Sequence, residues 1–314
     1  MNMAFIVWYN KIKKVVINMK LGLVLGGGGG RGAYQIGVWE ALKDLGIDKH
    51  VKVISGTSIG ALNAMLFMQG DMDIAKKAWV SLHQDEILPI EKKDIILKSK
   101  MRIFNTASRI NKILDLKPDL LYEGEFSREG LLKVIDEFLD TEKALNSSIR
   151  CYCTVADVES KEKKYFRVED YNEETIKNIL LASSAIPGLY DAVEINNRLY
   201  LDGGLKDNVP IDPVYNEGCD FIIVVRLCPE DVVEHDKYPN AQIIDIALKE
   251  NKEVNNEGLF DFTTETINQK MKAGYDETMN LIGPIFMLME NMVRIDGKQV
   301  NKGFMNKLKG LLKK

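Results

Sequence analysis

The sequence predicts an α/β domain with a largely parallel central sheet. Two strand–turn–helix units follow one another near the start of the chain, and such a succession is typical of this fold class. In the first unit, the apolar stretch 20–25 leads through a run of glycines into a helix that ends at Gly46. In the second unit, the strand 51–54 is followed at once by a turn and the apolar helix 58–68.

The rest of the chain continues with helices and further strands. Residues 72–140 are predicted to be mostly helical, whereas 148–170 has the alternating pattern of a hairpin. A second hairpin is predicted at Asn196-Asn197, because two asparagines between apolar runs favour a tight turn. Residues 173–182 are predicted to form a helix, and 221–227 the last buried strand.

Composition divides the chain into three parts. Residues 1–19 form an N-terminal arm whose apolar run is too short for a membrane span of about 20 residues, and which lacks the flanks of a secretory signal. The arm is either a short membrane-touching segment or the product of a start assigned upstream of Met19. Residues 20–228 form the α/β domain, and the polar, helical residues 229–314 form an extension beyond it. A cytoplasmic protein is the default expectation.

Charge and cysteine content exclude several classes of function. The chain of 314 residues carries a net charge of −4, which argues against nucleic-acid binding as its main role. Four cysteines in a chain of this length do not indicate a disulfide framework. Cys151 and Cys153 lie two apart on a predicted strand, where small buried side chains explain cysteine better than a metal site does. No other set of metal ligands is recognisable, so we expect neither a metal nor a cofactor.

A candidate nucleophile lies in the turn of the second unit. Gly56-Thr57-Ser58-Ile59-Gly60 fits the pattern Gly-x-Ser-x-Gly between a predicted strand and a predicted helix. In such a turn only glycine fits on either side of the serine, and the hydroxyl projects at the amino end of a helix. The helix dipole there favours developing negative charge. The pattern alone is weak, but its position between a strand and a helix favours Ser58 as a nucleophile.

The glycine-rich loop 26–32 follows the first strand. Consecutive glycines allow several N–H groups to converge on one oxygen, as in an oxyanion hole, where the loss of one donor costs about 3–4 kcal/mol. The same loop satisfies the dinucleotide pattern Gly-x-Gly-x-x-Gly at Gly27, Gly29 and Gly32. That pattern requires an acidic residue after the second strand, where this chain has Ser55-Gly56. The oxyanion interpretation is therefore favoured.

A candidate base follows a later apolar stretch, at Asp202-Gly203-Gly204. On its own this sequence is typical of a turn, although an acid with glycines behind it can approach another loop closely. The histidines are His50, His83 and His235. A triad of Ser58, Asp202 and His235 fits the chain order of α/β-hydrolases, but His235 lies in a charged stretch typical of a solvated loop.

Four motifs together resemble those of a bacterial patatin-like phospholipase. They are Gly-Gly-Gly-x-Arg-Gly at 27–32, Gly-Thr-Ser-Ile-Gly at 56–60, Ala-Ser-Ser-Ala-Ile-Pro at 182–187 and Asp-Gly-Gly-Leu-x-Asp-Asn-x-Pro at 202–210. The resemblance covers residues 20–228. It implies a three-layer α/β/α fold and a Ser–Asp dyad without histidine. It also implies hydrolysis of acyl esters in lipids, with no metal required for the chemistry.

The resemblance implies a role for each matching position. Ser58 matches the nucleophile, Asp202 the general base, and Gly28, Gly29 and Gly30 the oxyanion loop, with the N–H of Ile59 as a further donor. Arg31 matches a basic residue beside that loop, where it holds a phosphate, supports the glycines or is simply solvated at the surface. Asn208 and Pro210 match a segment that we interpret as structural. The other motif glycines are Gly27, Gly32, Gly56, Gly60, Gly203 and Gly204.

The expected function is hydrolysis of phospholipid, lysophospholipid or neutral acyl esters through a Ser58 acyl-enzyme. The alternatives are an esterase that uses the histidine triad and a nucleotide-binding regulatory protein that uses the glycine loop for phosphate. The C-terminus is basic and amphipathic, with apolar residues on one side of a helix at Phe304, Met305, Leu308, Leu311 and Leu312. This stretch either binds anionic lipid, giving peripheral contact with the inner membrane face, or packs on the protein.

Overall fold

The computed structural model of the chain describes residues 20–82, 87, 124, 126–249 and 261–295. Its strands are β1 (Leu21–Leu25), β2 (Val51–Thr57), β3 (Arg150–Asp157), β4 (Lys163–Arg167), β5 (Val193–Ile195), β6 (Arg198–Asp202), β7 (Phe221–Arg226) and β8 (Gln242–Ala247). Its α-helices are α1 (Ala33–Asp44), α2 (Ile59–Gln69), α3 (Met72–Val80), α4 (Glu129–Phe138), α5 (Thr141–Leu145), α6 (Glu173–Ser183), α7 (Ile211–Asn216) and α8 (Thr264–Ile295). Short 3₁₀ helices include Gly29–Gly32, Asp48–His50 and His235–Lys237.

The strands form one mixed sheet in the order β5-β6-β3-β2-β1-β7-β8, with β4 also paired to β3. The five strands β3-β2-β1-β7-β8 are parallel, whereas β4, β5 and β6 pair in the antiparallel direction. β1 is buried along its whole length. This is the near-continuous apolar character of a parallel strand that is covered on both faces.

Side chains along the central strands alternate between the two faces of the sheet, and this divides the apolar core into two clusters. On β1, Leu23 and Leu25 belong to a large apolar cluster with α1, α2, α3, α4 and α6, whereas Val24 belongs to a smaller cluster with Ile211 and Val214 of α7. Because successive side chains of a strand point to opposite faces, helices cover both sides of the sheet. The three-layer α/β/α fold and the mainly parallel sheet are therefore confirmed.

The C-terminal helix α8 packs closely along α1. A Cβ atom added at Gly37 of α1 would lie 1.8 Å from the carbonyl oxygen of Met271, and one added at Gly274 of α8 would lie 2.0 Å from the carbonyl oxygen of Tyr34. The helices therefore approach backbone to backbone at these two glycines. The Tyr34 hydroxyl also donates a hydrogen bond of 2.8 Å to Glu277 of α8.

The expected hairpins are present, but one expectation about the sheet is wrong. β3 and β4 pair in the antiparallel direction, and β5 and β6 are joined by Asn196 and Asn197, with φ of 52° and 60°. β7 is the last largely buried strand, as expected, but the expectation that the chain after residue 228 is helical is wrong for β8, which pairs with β7. β8 lies at the sheet edge and is only partly buried, so polar residues such as Asp245 interrupt its apolar pattern. The sheet thus continues beyond residue 228.

Several expectations concern residues that the structure does not describe. These are the N-terminal arm 1–19, the amphipathic stretch 302–313 and most of the region 83–125. Within the described part of the chain, no helix has both the length and the apolar character needed to cross a bilayer.

Candidate active site

The turn after β2 has the geometry that the Gly-x-Ser-x-Gly pattern predicts. Ser58 has φ 54° and ψ −125°, a conformation that is strained for a residue with a side chain. A Cβ atom at Gly56 would lie 2.3 Å from the carbonyl oxygen of Gly60, and one at Gly60 would lie 2.2 Å from that of Leu25. Only glycine fits at both positions, and the chain passes directly from Ser58 into α2.

The carboxyl ends of β2 and β6 meet on the same side of β3. β4 occupies the other side of β3, so β2 and β6 share the remaining one. Thr57, the last residue of β2, lies opposite Thr154, and Asp202, the last residue of β6, lies opposite the next residue, Val155. Because β2 and β6 run in opposite directions, this register places Ser58 beside Asp202.

Asp202 is a buried carboxylate that lies beside the serine. Its exposed fraction is 7%, and it accepts a hydrogen bond of 2.7 Å from the N–H of Gly204. Burial raises the pKa of Asp202 to about 7, although the bond from Gly204 and the nearby Ser58 hydroxyl oppose the shift because they stabilise the charged form. A carboxylate with this pKa is a far better proton acceptor near neutral pH than one with the ordinary value near 4.

The glycine loop lies against the nucleophile turn. The N–H of Gly26 donates to Val225 at 2.9 Å, and that of Gly27 donates to the carbonyl oxygen of Asn208 at 3.1 Å. A Cβ atom at Gly27 would lie 3.3 Å from the Cβ of Ser58. The structure therefore brings together the glycine loop, Ser58 and Asp202. The remaining loop glycines, Gly28, Gly29 and Gly30, continue from this contact into the 3₁₀ helix Gly29–Gly32.

Arg31 is not a solvated surface residue. Its exposed fraction is 6%, and its Nη1 lies 3.6 Å from the sulfur of Cys228. The backbone N–H of Arg31 donates to the carbonyl oxygen of Gly28 at 3.1 Å. Of the three roles that the sequence left open, surface solvation is wrong, because the side chain is enclosed behind the glycine loop.

Ser183 is a site residue to which the sequence analysis gave no role. It is fully buried, and its hydroxyl accepts a hydrogen bond of 2.8 Å from the N–H of Ser58. The same hydroxyl donates to the carbonyl oxygen of Thr154 at 2.7 Å. The motif at 182–187 contains this serine, but nothing in the motif indicates that it reaches the nucleophile turn.

An apolar cavity opens beside the nucleophile. The space between its walls is about 670 Å³, which includes solvent at the open mouth, and Ser58 lies in its wall. Most of the wall is apolar, with contributions from Leu62, Leu131, Ile135, Leu180, Ile186 and Phe262. These side chains come from α2, α4, α6, the turn after α6 and the segment before α8, so the residues after 228 take part in shaping the cavity.

The histidines lie away from this arrangement. His50 is exposed and precedes β2 at its amino end, opposite to the end that carries Ser58. His235 is exposed in the 3₁₀ helix His235–Lys237, and His83 lies outside the described residues. Cys151 and Cys153 are buried and free, and the described residues contain no group of histidine, cysteine and carboxylate side chains that could hold a metal ion.

More than half of the chain matches one known protein family. Residues 23–215 match the family described as patatin-like phospholipase. The chain belongs to this family. The matched range includes the glycine loop, the nucleophile turn and Asp202.

Curated patatin-like relatives include much longer proteins. The chain is 29% identical over 228 residues to the lysophospholipase NTE1 of Saccharomyces cerevisiae, covering 70% of this chain and 12% of that protein. It is 26% identical over 216 residues to a patatin-like phospholipase domain-containing protein of Caenorhabditis elegans, covering 68% of this chain and 14% of that protein. The chain thus spans about one eighth of the length of these relatives. They are fungal and nematode proteins. The comparisons therefore show the patatin-like family, but they do not support the expected resemblance to its bacterial members.

Among solved structures, VipD from Legionella pneumophila has a TM-score of 0.44 and 16% identity, covering 85% of this chain and 67% of that chain. A likeness at this level says nothing about function.

Proposed function

We propose that this patatin-like chain hydrolyses acyl esters of lipids, with Ser58 as nucleophile and Asp202 as the only catalytic base. The observation that carries the proposal is the position of Ser58 beside the buried Asp202 carboxylate, next to an apolar cavity. A hydroxyl beside a base forms the minimal unit of nucleophilic catalysis. The motif order and spacing also support a grouping with the bacterial members of the family.

In the first step, the Ser58 oxygen attacks the acyl carbonyl carbon while Asp202 accepts the hydroxyl proton. The tetrahedral intermediate then collapses, the alcohol leaves with the proton from Asp202, and the acyl group stays on Ser58. In the second step, water attacks the acyl-enzyme as Asp202 removes one of its protons. The tetrahedral intermediate then collapses, Asp202 returns that proton to the Ser58 oxygen, and the carboxylic acid leaves. The pKa of Asp202, about 7, suits both proton transfers near neutral pH.

The hydrogen bonds of the loop narrow the choice of oxyanion donors. The N–H groups of Ser58, Gly26 and Gly27 already donate to Ser183, Val225 and Asn208 respectively. The donors to the developing oxyanion therefore come from Gly28, Gly29 and Gly30, and from Ile59 at the start of α2. The amino end of α2 adds a favourable dipole for negative charge.

The cavity supports an acyl chain as the group that is transferred. Its wall beside Ser58 is almost entirely apolar, and burial of each methylene group there is favourable by about 0.8 kcal/mol. Phospholipids, lysophospholipids and neutral acyl esters all present such a chain. A turnover panel of these three classes, with short-chain p-nitrophenyl esters, would rank them.

We also propose peripheral contact with the inner membrane face from the cytoplasm. The support is the C-terminal sequence, whose apolar residues at 304–312 would fall on one side of a helix and whose lysines would fall on the other. This stretch lies outside the described residues.

A fluorophosphonate probe tests the central proposal. Such probes phosphonylate activated serines, so the parent protein should be labelled at one site, and Ser58→Ala should not be labelled. Ser160→Ala, an exposed serine outside the site, is the control and should be labelled like the parent. Absence of labelling in a folded parent that also fails to hydrolyse esters would overturn the proposal.

A further inference from the structure

The side chain of Asn208 joins Asp231, in the segment after β7, to the glycine loop, which Leu227 and Cys228 of the same segment also contact. Its Nδ2 donates to the carboxylate of Asp231 at 2.8 Å and to the carbonyl oxygen of Gly27 at 3.3 Å. Its backbone carbonyl oxygen accepts the N–H of Gly27 at 3.1 Å. Asn208 therefore bonds both backbone groups of Gly27, the loop glycine that lies against Ser58.

The Asn208 carboxamide also lies between the two catalytic loops. A Cβ atom at Gly27 would lie 2.4 Å from its Oδ1, and one at Gly204 would lie 2.9 Å from the same atom. Gly204 donates its N–H to Asp202. One amide group thus touches the glycine loop on one side and the loop that holds the base on the other.

Asp231 determines the orientation of this carboxamide. A carboxylate only accepts hydrogen bonds, so it binds the Nδ2 end and would repel the Oδ1 end. Arg226 holds Asp231 in place, because it donates to the backbone carbonyl oxygen of Asp231 and forms two bonds of 2.8 Å with Asp245 of β8. Although burial raises the pKa of Asp231 to about 6, the group is ionised at pH 8.

We propose that Asp231 is a positioning residue for the catalytic site: it fixes the orientation of the Asn208 carboxamide, which in turn holds the glycine loop at Gly27 against the Ser58 turn. The inference rests on the proposed function, since it assigns Asp231 a role in the same site. It also gives the residues after 228 a role in catalysis, through the contacts from β8 to the loop.

The test measures kcat and KM for p-nitrophenyl butyrate at pH 8, with the reactive fraction of each preparation counted by fluorophosphonate titration. Asp231→Ala should lower kcat per labelled site by about tenfold or more, because a small displacement of a reacting group costs that much, while KM stays within about threefold. Asp231→Asn should recover most of kcat, because its amide oxygen still accepts the Asn208 bond. Glu230→Ala, an exposed neighbour, should match the parent.

A double-mutant cycle separates positioning from general structural damage. If Asp231 acts through Asn208, the double variant Asn208→Ala/Asp231→Ala should have the same kcat as Asn208→Ala alone. If the fold-losses in kcat of the two single variants multiply in the double variant, the proposal is overturned. A kcat equal to that of the parent in folded Asp231→Ala would overturn it as well. A merely structural role would lower the labelled fraction and leave kcat per labelled site unchanged.

A second pair of variants tests the positioning role of Asp231 if Asp231→Ala does not fold. Asn208→Asp places two carboxylates against each other, and adding Asp231→Asn relieves that repulsion, so the double variant should have the higher kcat. Equal kcat values for Asn208→Asp and the double variant would contradict the inference. A parent that is never labelled would instead show that the proposed function fails, independently of Asp231.

Discussion

The backbone N–H of Ser58 donates a hydrogen bond of 2.8 Å to the hydroxyl of Ser183, which itself donates to Thr154 of β3. The buried hydroxyl thus connects the strained turn after β2 to the central sheet. Ser183 therefore holds the nucleophile turn without touching the reacting atoms.

Ser183→Ala should destabilise the protein and lower its activity. The substitution removes the partner of the part-buried Ser58 N–H, and the loss of such a partner costs about 1–3 kcal/mol. We expect this loss in the free energy of unfolding in urea, together with a lower kcat on a soluble ester. Ser81→Ala is the control, since the Ser81 hydroxyl bonds only a carbonyl oxygen of its own helix, Ala78, and lies outside the site. Equal stability of Ser183→Ala and Ser81→Ala would contradict this role.

The dyad is tested by replacing the histidines. The activity of a triple variant of His50, His83 and His235 should stay within several-fold of that of the parent, because Asp202 lies beside Ser58 and can act as the base itself. Asp202→Asn should lose about 10²–10⁴-fold in kcat through loss of the general base. The activity of the parent should rise with pH through about 7, the pKa of Asp202, and the triple variant should keep this rise. Loss of activity in a folded His235→Ala variant would favour the triad instead.

Asp202 should make the folded protein less stable as the pH rises. Its pKa is about 7 in the folded state and 3.8 in its ordinary environment, so the folded state binds the proton more tightly. The stability that this proton provides is complete below pH 4 and is lost as the pH rises through 7. At about 1.4 kcal/mol per pKa unit, the proton contributes up to about 4 kcal/mol to the free energy of unfolding.

The measurement is the difference in unfolding free energy between Asp202→Asn and the parent at pH 5 and at pH 8. Because asparagine carries no charge, the variant should gain stability relative to the parent at the higher pH. Asp236→Asn, at an exposed position, is the matched control and should give the same difference at both pH values. A constant difference for Asp202→Asn would show that Asp202 titrates normally.

The close contact of α8 with α1 predicts opposite effects for two glycines of one helix. Gly274→Ala forces a Cβ atom to within 2.0 Å of the Tyr34 carbonyl oxygen, and such overpacking costs about 1–3 kcal/mol. At Gly283 a Cβ atom would meet nothing within 4 Å, so Gly283→Ala should be stabilising by up to about 1 kcal/mol. Urea unfolding of both variants checks this, and equal effects would contradict the packing.

The membrane proposal is tested by a truncation that ends at Gln299. The shortened protein should lose sedimentation with anionic vesicles, because the five lysines from Lys302 onward are removed. It should keep its activity on soluble esters, since the described site contains none of the removed residues. Unchanged sedimentation would rule out the C-terminus as the membrane contact.

The sequence by itself predicted the patatin-like family and the α/β class, and it indicated Ser58 and Asp202 as the principal residues of the proposed site. These follow from local requirements that leave a trace in the chain. The turn at Ser58 tolerates only glycine at Gly56 and Gly60, and the loop beside it needs glycines for close backbone approach. Asn196 and Asn197 likewise indicate their hairpin, since few residues adopt a positive φ. Such requirements depend on neighbours in sequence and can be read without a structure.

Only the tertiary structure decided how the distant parts meet. The register of β2 and β6 on β3 places Asp202 beside Ser58, and a register depends on the whole sheet and not on either strand. Burial then raises the pKa of Asp202, and burial is a property of the packed domain. The edge strand β8, the buried hydroxyl of Ser183 and the contact of Asp231 with Asn208 all join segments far apart in sequence. Their side chains are ordinary polar residues, and only their neighbours in space give them a role.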